Sequence, residues 1–600
     1  VAGNYNPVNP VAVSSMGYKD TFESTVVANL DFDQKLDFIT KGLSFKALIS
    51  FKNWSYNSKY RLQGYNTYQL TDYTKNEDGT YNYTVNSIGD ATNHTLDSFF
   101  GTDGDRRFYI QGYFNYDRAF GDHHVGGMLL YNQDEYNSNF NSSLLNSLPK
   151  RRMGIAVRAA YDYANRYLFE FNAGYNGSEN FAKGHRFGFF PSVSVGWNIS
   201  QEKFWEPIRN IVSNFKIRGS YGLVGNDQVP YTRFLYMGIT TLNDSPSYQT
   251  GYGSHKESHN GPTFSRFENE DMTWEVGHKL NVGADIQLFN SLNLTVDAFR
   301  EIRSNILTTK GSIPNYLGAA NTVIYGNFAK VKNWGVDLAV DYGKQINRDL
   351  SIQFKGTFTF ARNRVMETDE AADIRPALSA VGKPLNTLWG YVADGLYIDE
   401  ADIANNPTST LGNITIAAGD VKYVDQPDVN GNYDGQIDSD DRVAIGHPTI
   451  PEIIYGFGPS ITWKKWDFSV FFQGQANVSL MMSGFEPFGT QSKNNVLEWI
   501  AEDYWSKENQ NPNAKYPRLT KYNNNNNMQS STYWLRNAAF LKLKNAEVGY
   551  NFKWGRVYMS GTNLLTFSPF KLWDPEMGGG KGMAYPTQRT FNLGVQITFK

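Results

Sequence analysis

The chain has 600 residues, 15% of them aromatic and 19% charged, with no cysteine and a formal net charge of -3. This balance gives no basis for nucleic-acid binding, and the missing thiols exclude disulfides and thiolate metal sites. Mean hydropathy is -0.49 and no apolar run approaches the length of a helical membrane span, yet a chain this long should divide into several soluble domains and shows no such division.

The segment Val1-Ala2-Gly3-Asn4 has no initiator Met, basic region or apolar core, so the chain is expected to begin inside a mature protein. From about residue 20 onward, aromatic strands alternate with Gly/Asn/Ser/Asp-rich loops. In Met153–Tyr163 the positions Met153, Ile155, Val157, Ala159, Tyr161 and Tyr163 form one apolar face, with Arg158 and Asp162 opposite. A turn at Ala164-Asn165 leads into Tyr167, Phe169, Phe171, Ala173 and Tyr175, which alternate with Glu170 and Asn172. That period-two pattern predicts a hairpin with one greasy face and one polar face.

The same pattern predicts a hairpin through Val282–Leu288 and Leu292–Ala298 around Asn290-Ser291, and a strand over Ile352–Phe360. The last strand, Thr590–Lys600, places Phe591, Leu593, Val595, Ile597 and Phe599 on one face and Asn592, Gly594, Gln596 and Thr598 on the other. Roughly 16 to 18 strands are predicted, many near the length that a tilted membrane crossing needs. Short turns contrast with long connections at Gly225–Asp271, Arg362–Gly390 and Asn477–Tyr533. The expected fold is all-β, a large antiparallel transmembrane barrel with long extracellular loops and short periplasmic turns. A β-sandwich is the competing reading of any one strand.

Several groups of residues carry a family likeness. They are Tyr161-Asp162-Tyr163-Ala164-Asn165-Arg166-Tyr167, then Gly177-Ser178-Glu179-Asn180-Phe181 with Arg186-Phe187-Gly188-Phe189-Phe190-Pro191-Ser192, and Thr273-Trp274-Glu275. Gly419-Asp420-Val421-Lys422-Tyr423, Asp434-Gly435-Gln436-Ile437-Asp438, Phe472-Gln473-Gly474, Asn563-Leu564-Leu565 and Asp574-Pro575-Glu576 follow in order. Over about residues 20–600 the sequence resembles SusC/RagA-type TonB-dependent outer-membrane transporters of Bacteroidota.

The resemblance implies a complete barrel of about 22 strands with an N-terminal plug. Residues 1–600 would then be the barrel without the plug, the TonB box and the first few strands, and Thr590–Lys600 would close against a strand before Val1. It also implies import of oligosaccharide or peptide, with oligosaccharide the family-level expectation. The implied partners are a SusD-like surface lipoprotein acting as a lid, the TonB-ExbB-ExbD system acting through the missing N-terminal part, and outer-membrane lipid. A passive porin or specific diffusion channel, and a receptor or adhesin without transport, are the alternatives.

Candidate ligand contacts are the loop aromatics Trp389, Tyr391, Tyr397, Phe485, Phe488 and Trp499, which could stack on sugar faces or apolar side chains. Loop packing, an interfacial aromatic belt or contact with a lid is the stronger reading of any one of them. The run Asn523–Asn527 reads as a flexible outer loop with amides to offer. Asn430, Asn432, Asp434, Gln436, Asp438 and Asp441 have the spacing of a calcium loop with Gly435 at the sharp turn, so a structural calcium is one reading and a self-bonded Asx/Gly turn the other. Asn in place of Asp at the first position and Asp in place of Glu at the last weaken that motif.

No enzymatic activity is expected. His123 and His124 are adjacent and point to opposite faces of a strand, while His255 and His259 lie in a loop with no helical pattern to bring them together.

Overall fold

The computed structural model describes residues 10–89, 95–139, 144–228, 233–311, 323–371, 374–485, 496–520 and 524–599. Seventeen strands form one sheet in which each strand pairs antiparallel with the next in sequence, from Gly17–Lys35 to Thr590–Ile597. This up-and-down order needs only hairpins, so short connections suffice at one end. The count falls inside the range predicted from periodicity. Among the described residues, the first and last strands each pair on one side only.

Faces follow the alternation. Met153, Ile155, Val157 and Tyr161 are exposed, as are Tyr167, Phe169, Phe171 and Tyr175 on the partner strand and Phe591, Leu593, Val595 and Ile597 on the last. In water such a surface would aggregate; in a membrane it is the lipid-facing band. No helix of the described residues is long and apolar enough to cross a membrane.

Connections alternate strictly between the two ends. One end carries the tight turns after residues 120, 163, 288, 347, 463 and 552. Ala164 and Asn165 have φ 52 and 55, and Phe289 and Asn290 both have φ 53, the paired positive values of turns whose twist matches the flanking strands. The second of these turns is centred one residue earlier than Asn290-Ser291, because Ser291 N–H closes it onto the Leu288 carbonyl at 3.0 Å. Aromatic rings gather at this end: Tyr163 stacks on Tyr167, Tyr167 on Trp197, and Trp466 meets Tyr550 edge-on at 5.0 Å. Rings with one polar edge suit the boundary between lipid and water.

The opposite end carries the long connections, and these are folded. The strand predicted through Phe360 runs on to Glu367, and the loop predicted at 362–390 opens a longer excursion that returns only at Ile453. The connection after 226 contains its own hairpin, Ile239–Thr250 with Glu257–Arg266. His259 lies in that hairpin and stacks on Tyr248, so it does not converge with His255.

Across the polar face, arginines reach over glycines. Arg218 is opposite Gly283, which is opposite Asp297, on three successive strands. The guanidinium crosses the glycine and forks onto Asp297 with both contacts at 2.7 Å, while its Nε reaches Asp285 at 3.2 Å. A Cβ on Gly283 would lie 2.5 Å from Asp297 Oδ1 and 2.7 Å from Arg218 Cζ. Arg556 repeats the device over Gly549 to reach Asp467. Here glycine is required because a side chain would occupy the path of the fork.

Gly283→Ala is therefore expected to displace the Arg218 fork and destabilise the folded barrel by about 1–3 kcal/mol. Gly343→Ala, where a Cβ would meet nothing within 4 Å, should be neutral. Heat-modifiable migration of detergent-purified full-length protein measures both, and equal behaviour of the two variants would refute the packing argument.

Candidate functional site

The polar sheet face and the folded long loops are the two surfaces on which a ligand could be handled. On the sheet face the register aligns short and long polar residues into ion-paired rows. His124 contacts Asp162 at 3.0 Å and Asp117 at 3.2 Å, and Arg158 meets Glu170 at 2.7 Å. His124, Arg158, Asp162, Glu170, Lys216 and Arg218 line a concavity of about 510 Å³. His123 turns away from this wall and bonds Tyr161 Oη at 2.8 Å, as adjacent strand positions require. The carboxylates of these rows are held by cations across the strands. The wall therefore presents fixed charge pairs.

The buried core of the described chain lies in the loops beyond the sheet. One cluster packs Val478, Leu480, Met482, Phe485, Ile500, Tyr516 and Trp534. A second packs Tyr391, Leu396, Val421, Tyr423, Ile437 and Trp505. Segments 388–445 and 478–538 thus form one body, stitched by main-chain bonds from Tyr391 N to Ser530 O and from Thr532 N to Tyr391 O, both 2.9 Å.

Asp420, fully buried, is the hub of this body. Arg518 forks onto it at 2.7 and 2.9 Å, and Asn524 and Asn527 each donate to its Oδ1 at 2.9 Å. The Ala417 N–H supplies a further bond to Oδ2 at 2.9 Å. Asn526 donates to the Val421 carbonyl and accepts from Ser409 Oγ, and its own carbonyl receives Tyr423 Oη at 2.6 Å. The reading of the Asn run as a flexible outer loop is thereby corrected for Asn524, Asn526 and Asn527, each at most 3% exposed. The Asn524 and Asn527 amides complete the donor set of a buried carboxylate that Arg518 and the Ala417 N–H also engage, while Asn526 ties the neighbouring main chain. Asn523 lies outside the described residues.

The predicted ligand contacts are distributed unevenly. Tyr391, Tyr397 and Phe485 are at most 4% exposed and belong to the loop interior. Tyr391 packs on Tyr423 at 5.2 Å, Phe485 meets Trp499 edge-on at 5.2 Å, and Tyr516 Oη donates to the Phe485 carbonyl. Burial pushes the phenols of Tyr391, Tyr397 and Tyr423 above their ordinary range, so they remain neutral spacers. Trp389 and Trp499 are half-buried, and Trp389 lies in a short strand paired with Ala444. Phe488 lies outside the described residues.

Along the predicted calcium loop, Asp428 accepts from the N–H groups of Asn430 and Asn432, which hold its carboxyl below the usual range. Asp434 accepts from Gln436 N, Asp438 caps a short 3-10 turn through Asp440 N, and Asp441 accepts from Asp438 N. Among the described residues no three His, Cys, Asp or Glu side chains converge at metal-holding geometry.

The residues missed from sequence are Asp420, Arg518 and the Arg218–Gly283–Asp297 row. Asp420 stands within a stretch quoted for the family likeness, and that was its one signal. Asp420→Ala is expected to leave the buried Asn524 and Asn527 amides and the Arg518 fork without their shared acceptor and to cost the loop body about 1–3 kcal/mol. Limited proteolysis of full-length protein should then cut within 388–538 while the barrel keeps its heat-modifiable migration. Protease resistance equal to the parent would show that the hub is dispensable.

The family model described as TonB dependent receptor-like, beta-barrel matches residues 2–564. TonB-dependent receptor P3 of Formosa agariphila is 26% identical over 479 residues, covering 74% of this chain and 45% of the relative. TonB-dependent receptor SusC of Bacteroides thetaiotaomicron is 23% identical over 627 residues, covering 99% of this chain and 58% of the relative. Among solved structures, the RagAB peptide transporter superposes with a TM-score of 0.72 at 19% identity, over 98% of this chain and 63% of the other. The chain thus spans about half to three-fifths of the length of these curated relatives. With its antiparallel seventeen-stranded sheet, lipid-facing band and folded loops, the chain belongs to the TonB-dependent receptor-like β-barrel family, as an outer-membrane protein of the SusC/RagA type.

Proposed function

We propose that this chain is the barrel and extracellular-loop portion of a TonB-dependent importer that takes up oligosaccharides or peptides together with a SusD-like surface lipoprotein. The observation that carries the reading is the fold likeness to the RagAB peptide transporter over almost the whole chain. It is supported by the loop body: the described residues of 388–445 and 478–538 pack together around buried side chains, the kind of surface against which a lid can close. In this reading the lid traps ligand over the loops, and TonB-ExbB-ExbD acts on a plug of the kind family members carry to open the path past the ion-paired wall. The residues that would meet ligand are the accessible parts of Trp389 and Trp499 and the polar row from His124 to Arg218. Tyr391, Tyr397 and Phe485 would shape the surface from beneath.

A polymer of either class presents many hydrogen-bonding groups and flat apolar patches, which half-buried indoles and fixed charge pairs suit equally. The family-level expectation of oligosaccharide stands beside the likeness to a peptide transporter, and ligand identity decides between them. Copurification of the full-length protein with its lid, followed by mass analysis of bound material, is expected to return one of the two classes. Uptake of that material should be lost in a strain lacking TonB while surface binding is kept. Uptake that persists without TonB would favour a passive channel, and binding without any uptake would favour a receptor.

A further inference from the structure

Within the 425–441 excursion two buried carboxyl groups face each other. Asp425 is 7% exposed and Asp441 2%. Asp441 engages both oxygens with main-chain donors, Oδ1 with Gln426 N at 2.8 Å and Oδ2 with Asp438 N at 2.7 Å. Asp425 Oδ2 accepts from Gly435 N at 2.9 Å, but its Oδ1 is buried and meets no donor among the described residues. The two side chains are within hydrogen-bonding reach of each other, and both are acceptors.

Two ionised carboxylates in contact away from water repel unless they share a proton or a cation lies between them. The nearby guanidinium groups are directed elsewhere. Arg375 pairs with Asp440 at 3.0 Å and approaches Asp434 at 3.9 Å, and Arg442 reaches the Trp389 carbonyl at 3.5 Å. We propose that Asp425 and Asp441 anchor a divalent-cation site that takes calcium.

This site differs from the one read off linear spacing. That reading put Asn430 first in the loop, whereas Asn430 is exposed and its N–H closes a turn onto Asp428. Asp425 supplies the carboxylate that Asn430 lacks, and it faces Asp441, the last position of the motif. With two carboxylates at the centre, the remaining ligands are main-chain carbonyls, amides and water, an all-oxygen set that suits calcium and not zinc. The consequence reaches the loop hub. Gln436–Ile437 pairs in parallel with Thr408–Ser409, and Ser409 bonds Asn526, so a cation here would brace the strand that supports the Asp420 network.

The test uses the full-length protein in detergent, stripped with chelator and titrated with calcium by calorimetry and with terbium by emission sensitised through nearby tyrosines. One calcium per chain is expected, with a Kd on the order of 10⁻⁴–10⁻³ M or tighter. Asp425→Asn should weaken binding about tenfold or more, and Asn430→Ala should leave it unchanged. Asp441→Asn should weaken it too, and where that variant fails to fold, Asp425→Asn decides alone. No calcium heat and no terbium emission from the parent would overturn the proposal, as would binding that survives Asp425→Asn or is lost with Asn430→Ala.

Discussion

In hydrocarbon, a backbone N–H or C=O without a partner costs several kcal/mol, and no water is present to supply one. That constraint organises the structure. It forces each strand against its sequence neighbour, it makes the ladder of main-chain bonds continuous across seventeen strands, and it leaves the side chains to divide between lipid and a polar interior. Among the described residues Gly17–Lys35 and Thr590–Ile597 each pair on one side only, and an unpaired strand edge is costly in lipid.

Once lipid-facing positions are committed to apolar side chains, stabilising choices are confined to the polar face and the loops. On the polar face the solution is charge pairing across strands, with glycine placed where an arginine must pass over a neighbouring strand. Arg218 and Arg556 use the same arrangement at separate places on the sheet, which marks it as a packing rule of this fold. A paired wall also suits passage of polar material, since its charges are already satisfied and bind no single ion strongly.

Beyond the membrane, water returns and the hydrophobic effect with it. Here the chain builds what the barrel lacks, a compact interior of aromatic and aliphatic side chains from two excursions more than a hundred residues apart at their farthest contacts. Buried polar groups hold the two excursions in register. Asp420 is satisfied from Arg518, Asn524, Asn527 and the Ala417 main chain, a specificity that apolar packing alone would not impose. Lys542 plays a similar part lower down, fully buried against Asp574 and Glu576. Tying loop shape to such networks gives the extracellular face one conformation to present to a partner.

The amino-acid sequence by itself determined the strands, their faces and the turns at the short end, because alternation and paired positive-φ residues are local properties. Met153–Tyr175 shows this, and so does the last strand. Placement of the turn at Phe289-Asn290 needed the observed hydrogen bond, since Phe is a poor signal for positive φ. Only the tertiary structure decided what the long loops do. Tyr391, Tyr397 and Phe485 carry the same side chains whether they face ligand or fill a core, and Asn524, Asn526 and Asn527 look like solvent-exposed amides until Asp420, distant in sequence, is placed among them. Asp425 and Asp441 likewise acquire meaning through contact. Periodicity records the one-dimensional repeat of a strand, whereas burial in these loops depends on which distant segments meet, and that information exists only once the chain has folded.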